Sequence, residues 1–481
     1  MAAAPSLAAG WIVHRGAPEV PFAATAIADR VIRLAPGDVT TAAIDHLHHA
    51  AQPLLAVVVA AALVAVGATI AWRLRSPGRA AVAWAATLFV AALAAPLGAS
   101  FVGALAASAM GALTYGVALR AVRRARAPRT PDPARRRALI LVGALTGGAL
   151  IASHPLAQAV AWIAGRPRRP RTAALPHGTP PPRPPFPRIP GLAGEITPTA
   201  NHYVVDIDID DPIVDGSAWR LRVHGLVDRE LDLSFLDVQR EFTLVDEVSA
   251  LTCISNPVGG PLVGSSRWEG VPLGALLRRA GPKPGATGLA VRCADGYTAG
   301  IPLAATEHPS ALLAIAQNGR ALAREHGFPA RLRVPSLYGM LNPKWVESIE
   351  VVDHPFLGYW AHQGWSPTAV VRTESRIDAP RRARAGQPTW IAGVAWAGTR
   401  GIARVEVSTD GMRTWQPARL HRPLSPWAWT QWAQRWTPVR AGHHLIACRA
   451  TDGAGSVQDA RERPPHPSGA SGYHRVTVAV T

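Results

Sequence analysis

Leu251-Thr252-Cys253-Ile254-Ser255-Asn256-Pro257-Val258-Gly259-Gly260 sets a single cysteine where an apolar run gives way to a loop of small residues. A thiolate is a soft ligand, suited to a heavy or transition metal. Glycines let backbone come close to a bulky ligand. The commonplace alternative is a cysteine buried in a core, and the surroundings decide between the two. Upstream, residues 219–225 alternate like a strand ending in a turn, and residues 231–240 read as a short helix after a polar start. Downstream, residues 272–280 put Leu273, Leu276 and Leu277 on one helical face. Residues 289–293 and 297–301 flank Asp295-Gly296, a hairpin signal that makes Cys293 a strand core residue. Residues 203–377 therefore read as mixed α and β.

Outside this region the charge is unevenly spread. The chain of 481 residues carries a formal +18, and residues 1–195 hold 20 arginines, no lysine and 6 acids. A nucleic-acid protein would spread its basic footprint over a folded face. Here the excess lies beside apolar segments, which points to membrane topology and to no nucleic-acid partner. The only lysines are Lys283 and Lys344, against 48 arginines. Three cysteines at wide spacing, Cys253, Cys293 and Cys448, make no disulfide framework.

Four segments, 54–72, 80–98, 101–119 and 138–157, approach the ~20 apolar residues a bilayer needs. Gly103, Ala107 and Gly111 form a stripe of small residues for close helix packing, or a chance pattern in an alanine-rich helix. The arginines between the first and second spans, and between the third and fourth, fall on one side. The positive-inside rule makes that side cytoplasmic and everything after the fourth span extracytoplasmic. Ala134-Arg135-Arg136-Arg137-Ala138-Leu139 resembles a twin-arginine export signal, with an ordinary arginine cluster as the alternative. His46, His48, His49 and His154 approach the outer face. Residues 166–194 hold a proline- and arginine-rich spacer.

Cys253-Ile-Ser-Asn256 resembles the Cys-x-x-Asn loop of the sulfite oxidase family of molybdopterin enzymes. Trp268-Glu-Gly270-Val271-Pro272-Leu273 is similar to the Trp-x-Gly-Val-x-Leu that follows it. His326-Gly327-Phe328-Pro329-Ala330-Arg331 and Gly339…Lys344-Trp345 resemble its other cofactor-binding stretch. The resemblance covers roughly residues 200–481 and implies a molybdenum-molybdopterin cofactor. Molybdenum would be held by two pterin sulfurs and the Cys253 thiolate, with Asn201, His202, Asn256, His326, Arg331, Asn342 and Lys344 as cofactor-binding residues. Arginine brings a planar fork to a phosphate and lysine a point charge. The family's Arg-Asn-His appears here as Ala200-Asn201-His202, without the arginine. Its active-site tyrosine aligns with His362, ahead of Gly364-Trp365-Ser366-Pro367, which makes His362 a catalytic candidate.

Residues 378–481 read as all-β, with strand-like runs at 389–396, 402–408, 443–450 and 475–480 and turns at Asp410-Gly411 and Asp452-Gly453. Gly401 to Gly411 resembles the family's immunoglobulin-like dimerisation domain. The expected architecture is thus multi-domain. An α-helical membrane anchor over 1–165 and a linker over 166–194 lead into an α+β molybdopterin domain over 195–377. An all-β immunoglobulin-like sandwich over 378–481 follows. The expected function is two-electron oxygen-atom transfer by a multi-pass cell-membrane enzyme. Its expected partners are a small oxyanion or sulfur-containing substrate, a separate cytochrome or quinone-linked electron carrier, the membrane, and a second copy of the chain. Two other readings stand beside it: a sulfoxide-type reductase of the same fold, and a metal-free membrane-anchored binding module.

Overall fold

The computed structural model describes residues 3–16, 20–35, 51–74, 76–92, 101–125 and 185–481. The expected span at 138–157, the twin-arginine-like motif, His46, His48, His49, His154 and most of the 166–194 spacer lie outside the described residues. The chain divides into two units, one built from residues 1–168 and 206–213 and the other from 169–205 and 214–481.

In the first unit, alanine-rich stretches form helices α1 (Ala3–Gly16), α2 (Ala23–Leu34), α3 (Ala51–Arg73), α4 (Pro77–Ala92) and α5 (Phe101–Ala125). Small residues let them close up. A methyl group on Gly67 would lie 2.6 Å from the Ala3 side chain, and one on Gly111 would lie 2.5 Å from Leu88. Gly111 of the expected small-residue stripe is therefore a packing position. The polar groups inside this core are paired with one another, as an apolar surround requires. The Trp84 indole donates to Ser6 Oγ (2.9 Å), Ser6 Oγ donates to the Gly111 carbonyl (2.8 Å), and Tyr115 Oη donates to the Gly67 carbonyl.

Among the described residues one helix, Leu54–Arg73, is long and apolar enough to cross a membrane. Large apolar side chains point outward on three helices: Val57 and Val58 on α3, Val82 and Val90 on α4, Leu113 and Val117 on α5. The acidic stretch Asp206–Ile213 makes its contacts within this helical unit. Arg33 Nε donates to Asp208 at 3.0 Å, Asp29 accepts the Ile209 N–H at 2.7 Å, and His14 lies 3.1 Å from Asp210.

The second unit holds two regions. In the first, ten strands run in chain order as β1 (Arg220–Gly225), β2 (Leu231–Ser234), β3 (Val245–Thr252), β4 (Val263–Pro272), β5 (Gly288–Cys293), β6 (Thr298–Pro302), β7 (Leu312–Gln317), β8 (Arg320–Ala321), β9 (Arg331–Arg333) and β10 (Val346–Val352). One sheet has the order β2-β1-β10-β5-β6, with β1 and β10 parallel. The other is antiparallel, β3-β4-β7-β8, with β9 also paired to β7. The stretch 231–240 splits, because Leu231 and Leu233 alternate as a buried strand face before Ser234 caps a six-residue helix, Phe235–Arg240, in a capping box with Asp237. The Asp295-Gly296 turn does join β5 to β6, and Cys293 is buried at the end of β5.

The second region is all-β. Strands β11 (Glu374–Ala379), β13 (Thr389–Trp396), β16 (Arg419–Leu420) and β17 (Thr430–Trp436) form one sheet. Strands β12 (Arg382–Ala383), β14 (Ile402–Ser408), β15 (Gln416–Pro417), β18 (Gly442–Asp452) and β19 (His474–Val480) form the other. Ile377, Ile391 and Trp432 from the first meet Val405, Ile446, Cys448 and Val478 from the second in one dry core. Cys448 is thus a core residue.

Candidate active site

Strand β3 delivers Cys253 into a closed loop. The Cys253 N–H donates to the Leu262 carbonyl (2.9 Å), and the Asn256 N–H donates to the Cys253 carbonyl (3.1 Å). Asn256 Oδ1 accepts the Leu262 N–H at 2.8 Å. A methyl group on Gly260 would lie 2.5 Å from that oxygen, so glycine is what lets the amide of Asn256 fold inward. Ser255 Oγ stands 3.0 Å from Cys253 Sγ. Burial pushes the Cys253 thiol above its ordinary value. A free thiol here stays protonated at neutral pH, and ligation by a metal cation is what would draw off the proton.

A second wall comes from the segment 197–203. It is laced to β4 and to the β7–β8 turn: the Thr197 N–H donates to the Ser265 carbonyl (2.7 Å), and Asn318 Nδ2 donates to the Thr197 carbonyl (3.0 Å). This seats His202 and Tyr203. The His202 ring stacks on Tyr203 at 5.3 Å and meets Trp268 and His326 edge to face at 5.9 and 5.6 Å. Burial, with His326 and Arg331 nearby, lowers the His202 pKa to about 3, so the ring is neutral. Burial lowers that of His326 too, and His326 Nε2 donates to the Thr199 carbonyl at 2.9 Å.

Positive charge arrives on β9. Its alternation puts Arg331 and Arg333 on one face, 5.3 and 5.1 Å from the Trp268 ring centre. Arg331 donates to the His326 and Asn342 carbonyls at 3.1 and 3.0 Å. Arg333 is fully buried and donates to Asn342 Oδ1, to Ser249 Oγ (2.9 Å) and to the Ala250 carbonyl (3.0 Å), all neutral oxygens. Burial lowers its pKa to about 9, which still leaves it charged at neutral pH. Lys344 Nζ donates to the Glu325 carbonyl (2.8 Å) and lies 4.3 Å over the Trp345 ring. Gly327, with φ +103°, lets Lys344 and Arg331 approach each other across it.

The expected residues separate. Cys253, Asn256, His202, His326, Arg331 and Lys344 converge on this region. Asn342 is buried there, but both of its amide hydrogens go to carbonyls, of Leu337 and Tyr338, and its oxygen accepts from Val334 and Arg333. Its side chain ties the loop together and has no hydrogen-bonding capacity left for a ligand. Asn201 is exposed, and only its backbone is bonded, to the Pro198 carbonyl. His362 is exposed at the end of the one-turn helix Tyr359–His362, and its imidazole has no hydrogen-bond partner among the described residues. Tyr203 and Arg333 were not among the expected residues. Tyr203 directly follows the Asn201-His202 pair, and the period-2 spacing of Arg331 and Arg333 signals a shared strand face.

Buried polar atoms near Cys253 are left unpaired. His202 Nε2, Tyr203 Oη and Asn256 Nδ2 are buried with no hydrogen-bond partner among the described residues. Any side chain at Gly339 would intrude beside Cys253, since its first carbon would lie 2.7 Å from Tyr203 Oη and 3.8 Å from the Cys253 Cα. No set of three or more His, Cys, Asp or Glu among the described residues is placed to hold a metal. Cys253 would therefore be a lone protein ligand, with an organic group supplying the others. The unpaired buried polar atoms, donors on Tyr203 and Asn256 and an acceptor on neutral His202, and the arginines on Trp268 fit a phosphate-bearing pterin.

The chain is similar to known proteins over the same residues. Residues 208–360 match the oxidoreductase molybdopterin binding domain, and residues 367–480 match the Mo-co oxidoreductase dimerisation domain. The chain is 33% identical over 310 residues to a sulfite oxidase of Gallus gallus, covering 54% of this chain and 66% of that one. It is 32% identical over 166 residues to a putative protein-methionine-sulfoxide reductase subunit, YedZ1, of Azospira oryzae, covering 34% and 60%. Among solved structures it is similar to the sulfane dehydrogenase SoxCD of Paracoccus pantotrophus, with TM-score 0.53 and 26% identity over 60% of this chain and 82% of that one. The chain spans between about half and two thirds of the length of the sulfite oxidases it matches.

Proposed function

Since the chain belongs to the sulfite oxidase family of molybdopterin-dependent oxidoreductases, we propose that it catalyses two-electron oxygen-atom transfer at a molybdenum held by Cys253. The observation that carries this reading is the buried Cys253 thiol together with three buried polar atoms left unpaired among the described residues, His202 Nε2, Tyr203 Oη and Asn256 Nδ2. A bound molybdenum-molybdopterin would supply the reversible exchange of an oxygen atom and two electrons.

The chain's own residues prepare the site. Cys253 would give up its proton to become a ligand, and the Ser255 hydroxyl at 3.0 Å is placed to donate to the thiolate. Arg331, Lys344 and His326 would hold the cofactor's phosphate end. Tyr203 Oη and Asn256 Nδ2 would donate to its polar atoms, which offsets the cost of burying them unpaired. His362 would meet the substrate from the exposed side. Electrons pass to a separate cytochrome or quinone-linked carrier, and the dimerisation domain, read as immunoglobulin-like, would pair two copies. Outward apolar residues on α3, α4 and α5 support a multi-pass anchor of about four helices. The arginine clusters would then put the catalytic part outside the cytoplasm.

Metal analysis of the purified full chain tests the assignment. Cys253→Ser loses bound molybdenum and activity, whereas Cys293→Ser keeps both and costs only stability, about 1–3 kcal/mol. Wild-type metal content and turnover in Cys253→Ser would refute the ligand assignment. The similarity to a sulfoxide reductase subunit favours a second reading, in which the same site reduces a sulfoxide. Assays with sulfite plus an electron acceptor, and with a sulfoxide plus a donor, separate the two.

A further inference from the structure

A polar cleft of about 450 Å³ lies between the segment 366–374 and the loop 452–471 of the second unit. Its walls include Thr368, Arg372, Glu374, Arg400, Asp452 and Ser468, and none of the Cys253-site residues lines it. Glu374, on β11, is only 3% exposed. Tyr338 Oη accepts the Arg372 N–H at 3.2 Å, so its own proton is directed to Glu374 Oε1 at 3.4 Å. Glu374 Oε2 has no hydrogen-bond partner among the described residues.

Burial raises the Glu374 pKa to about 8, against the lowering effects of Tyr338 and Arg372, so the carboxyl is neutral at pH 7. With Oε1 accepting from Tyr338, the carboxyl proton sits on Oε2, which leaves an O–H donor without an acceptor. The other carboxylates in the wall are already satisfied. Asp452 is paired with Arg400 at 2.7 Å and accepts from Thr373 at 2.8 Å, and Asp459 is paired with Arg463. Arg372 differs: its Nε donates to the Ser468 carbonyl at 3.0 Å, and its terminal nitrogens have no hydrogen-bond partner among the described residues. The wall therefore offers the Arg372 guanidinium and hydroxyls, with the unpaired Glu374 carboxyl buried in it and the Asp452 and Asp459 carboxylates held by their arginines.

We propose that this cleft is a second ligand site, separate from the Cys253 site, which takes a small organic oxyanion, with the Arg372 guanidinium and the unpaired Glu374 carboxyl meeting its carboxylate, sulfonate or phosphate headgroup. The site goes beyond the function proposed above and stands on other residues. Tyr338 is the link between them, since its hydroxyl bonds Glu374 while the neighbouring Gly339 packs against Cys253.

Calorimetric titration of the full chain in detergent tests the site, with methanesulfonate, acetate and inorganic phosphate as probes. Their ranking identifies the headgroup. Methanesulfonate does not titrate in the working range and serves for the pH series. It binds wild type about tenfold more weakly at pH 9 than at pH 7, because ionised Glu374 turns a donor into a repelling charge. Glu374→Gln keeps a neutral donor and binds with that pH dependence flattened. Arg372→Gln weakens binding at least about tenfold at pH 7, the loss of one charge-assisted bond. Thermal melts confirm that the variants fold. Cys253→Ser binds the probes like wild type, so failure of the metal assignment leaves this result standing. No binding of any probe, equal binding by Arg372→Gln, or an unchanged pH dependence in Glu374→Gln would each overturn the proposal.

Discussion

Replacing Gly327 by alanine tests whether the two cations of the site depend on one backbone position. Gly327 has φ +103° and ψ 27°, in the left-handed region. Alanine there costs about 1–2 kcal/mol in backbone strain. The new methyl group would also lie 2.9 Å from Lys344 Cβ, 3.1 Å from Lys344 Cα and 3.2 Å from Arg331 Cβ. Because two of these contacts are to the stiff part of Lys344, backbone must move, and overpacking of this kind costs roughly 1–3 kcal/mol. The sum is about 2–5 kcal/mol, a fall in melting temperature of roughly 5–15 °C for a domain of this size. The displacement moves Arg331 and Lys344 together, so molybdenum content per chain falls as well. Thermal denaturation and metal analysis on the same preparation measure both. A variant that melts within about a degree of wild type and retains its full metal content would refute the reasoning.

Two further outcomes are expected. His202 is neutral in the folded chain down to about pH 3, whereas the unfolded ring titrates near 6.5, so the unfolded state takes up the proton first as pH falls. The stability this contributes is complete above pH 6.5 and is lost as pH falls from 6.5 toward 3. At pH 4.5 the loss is on the order of 2–3 kcal/mol, and His202→Gln should remove that part of the slope in a urea titration. His362→Ala should leave the fold and metal content intact and raise KM for sulfite. Fast sulfite oxidation at pH 8, unchanged in the variant, would remove His362 from the substrate site.

The site's centre was legible because it is local. A soft ligand, small residues and two glycines lie within eight residues of one another, from Cys253 to Gly260. The β region was legible for a similar reason: strand-like runs at 389–396 and 402–408 coincide with β13 and β14. What escaped depends on distant partners. Arg333 looks like a surface arginine until Ser249 and Ala250, more than 80 residues earlier, close over it. Asn342 has the composition of a ligand, yet the carbonyls of Leu337 and Tyr338 claim both its hydrogens. The partner of Asp208 is likewise hidden in the sequence, because Arg33 is 175 residues away. Glu374 gave no signal at all, since a carboxylate is ordinarily a surface group and only the fold buries it.

The phase of β9 has an evolutionary consequence. Arg331 and Arg333 share a face, fully buried Leu332 takes the other, and the register is set by Ala314, Leu313 and Leu312 of β7. Inserting or deleting a single residue between Gly327 and Arg331 would shift that register by one and exchange both guanidiniums for a leucine. A two-residue change would restore the alternation but move the arginines along the strand, away from Trp268. The length of this connection should therefore stay constant among descendants of the chain while other loops drift. A one-residue length change here would mark a lineage that has abandoned the cofactor.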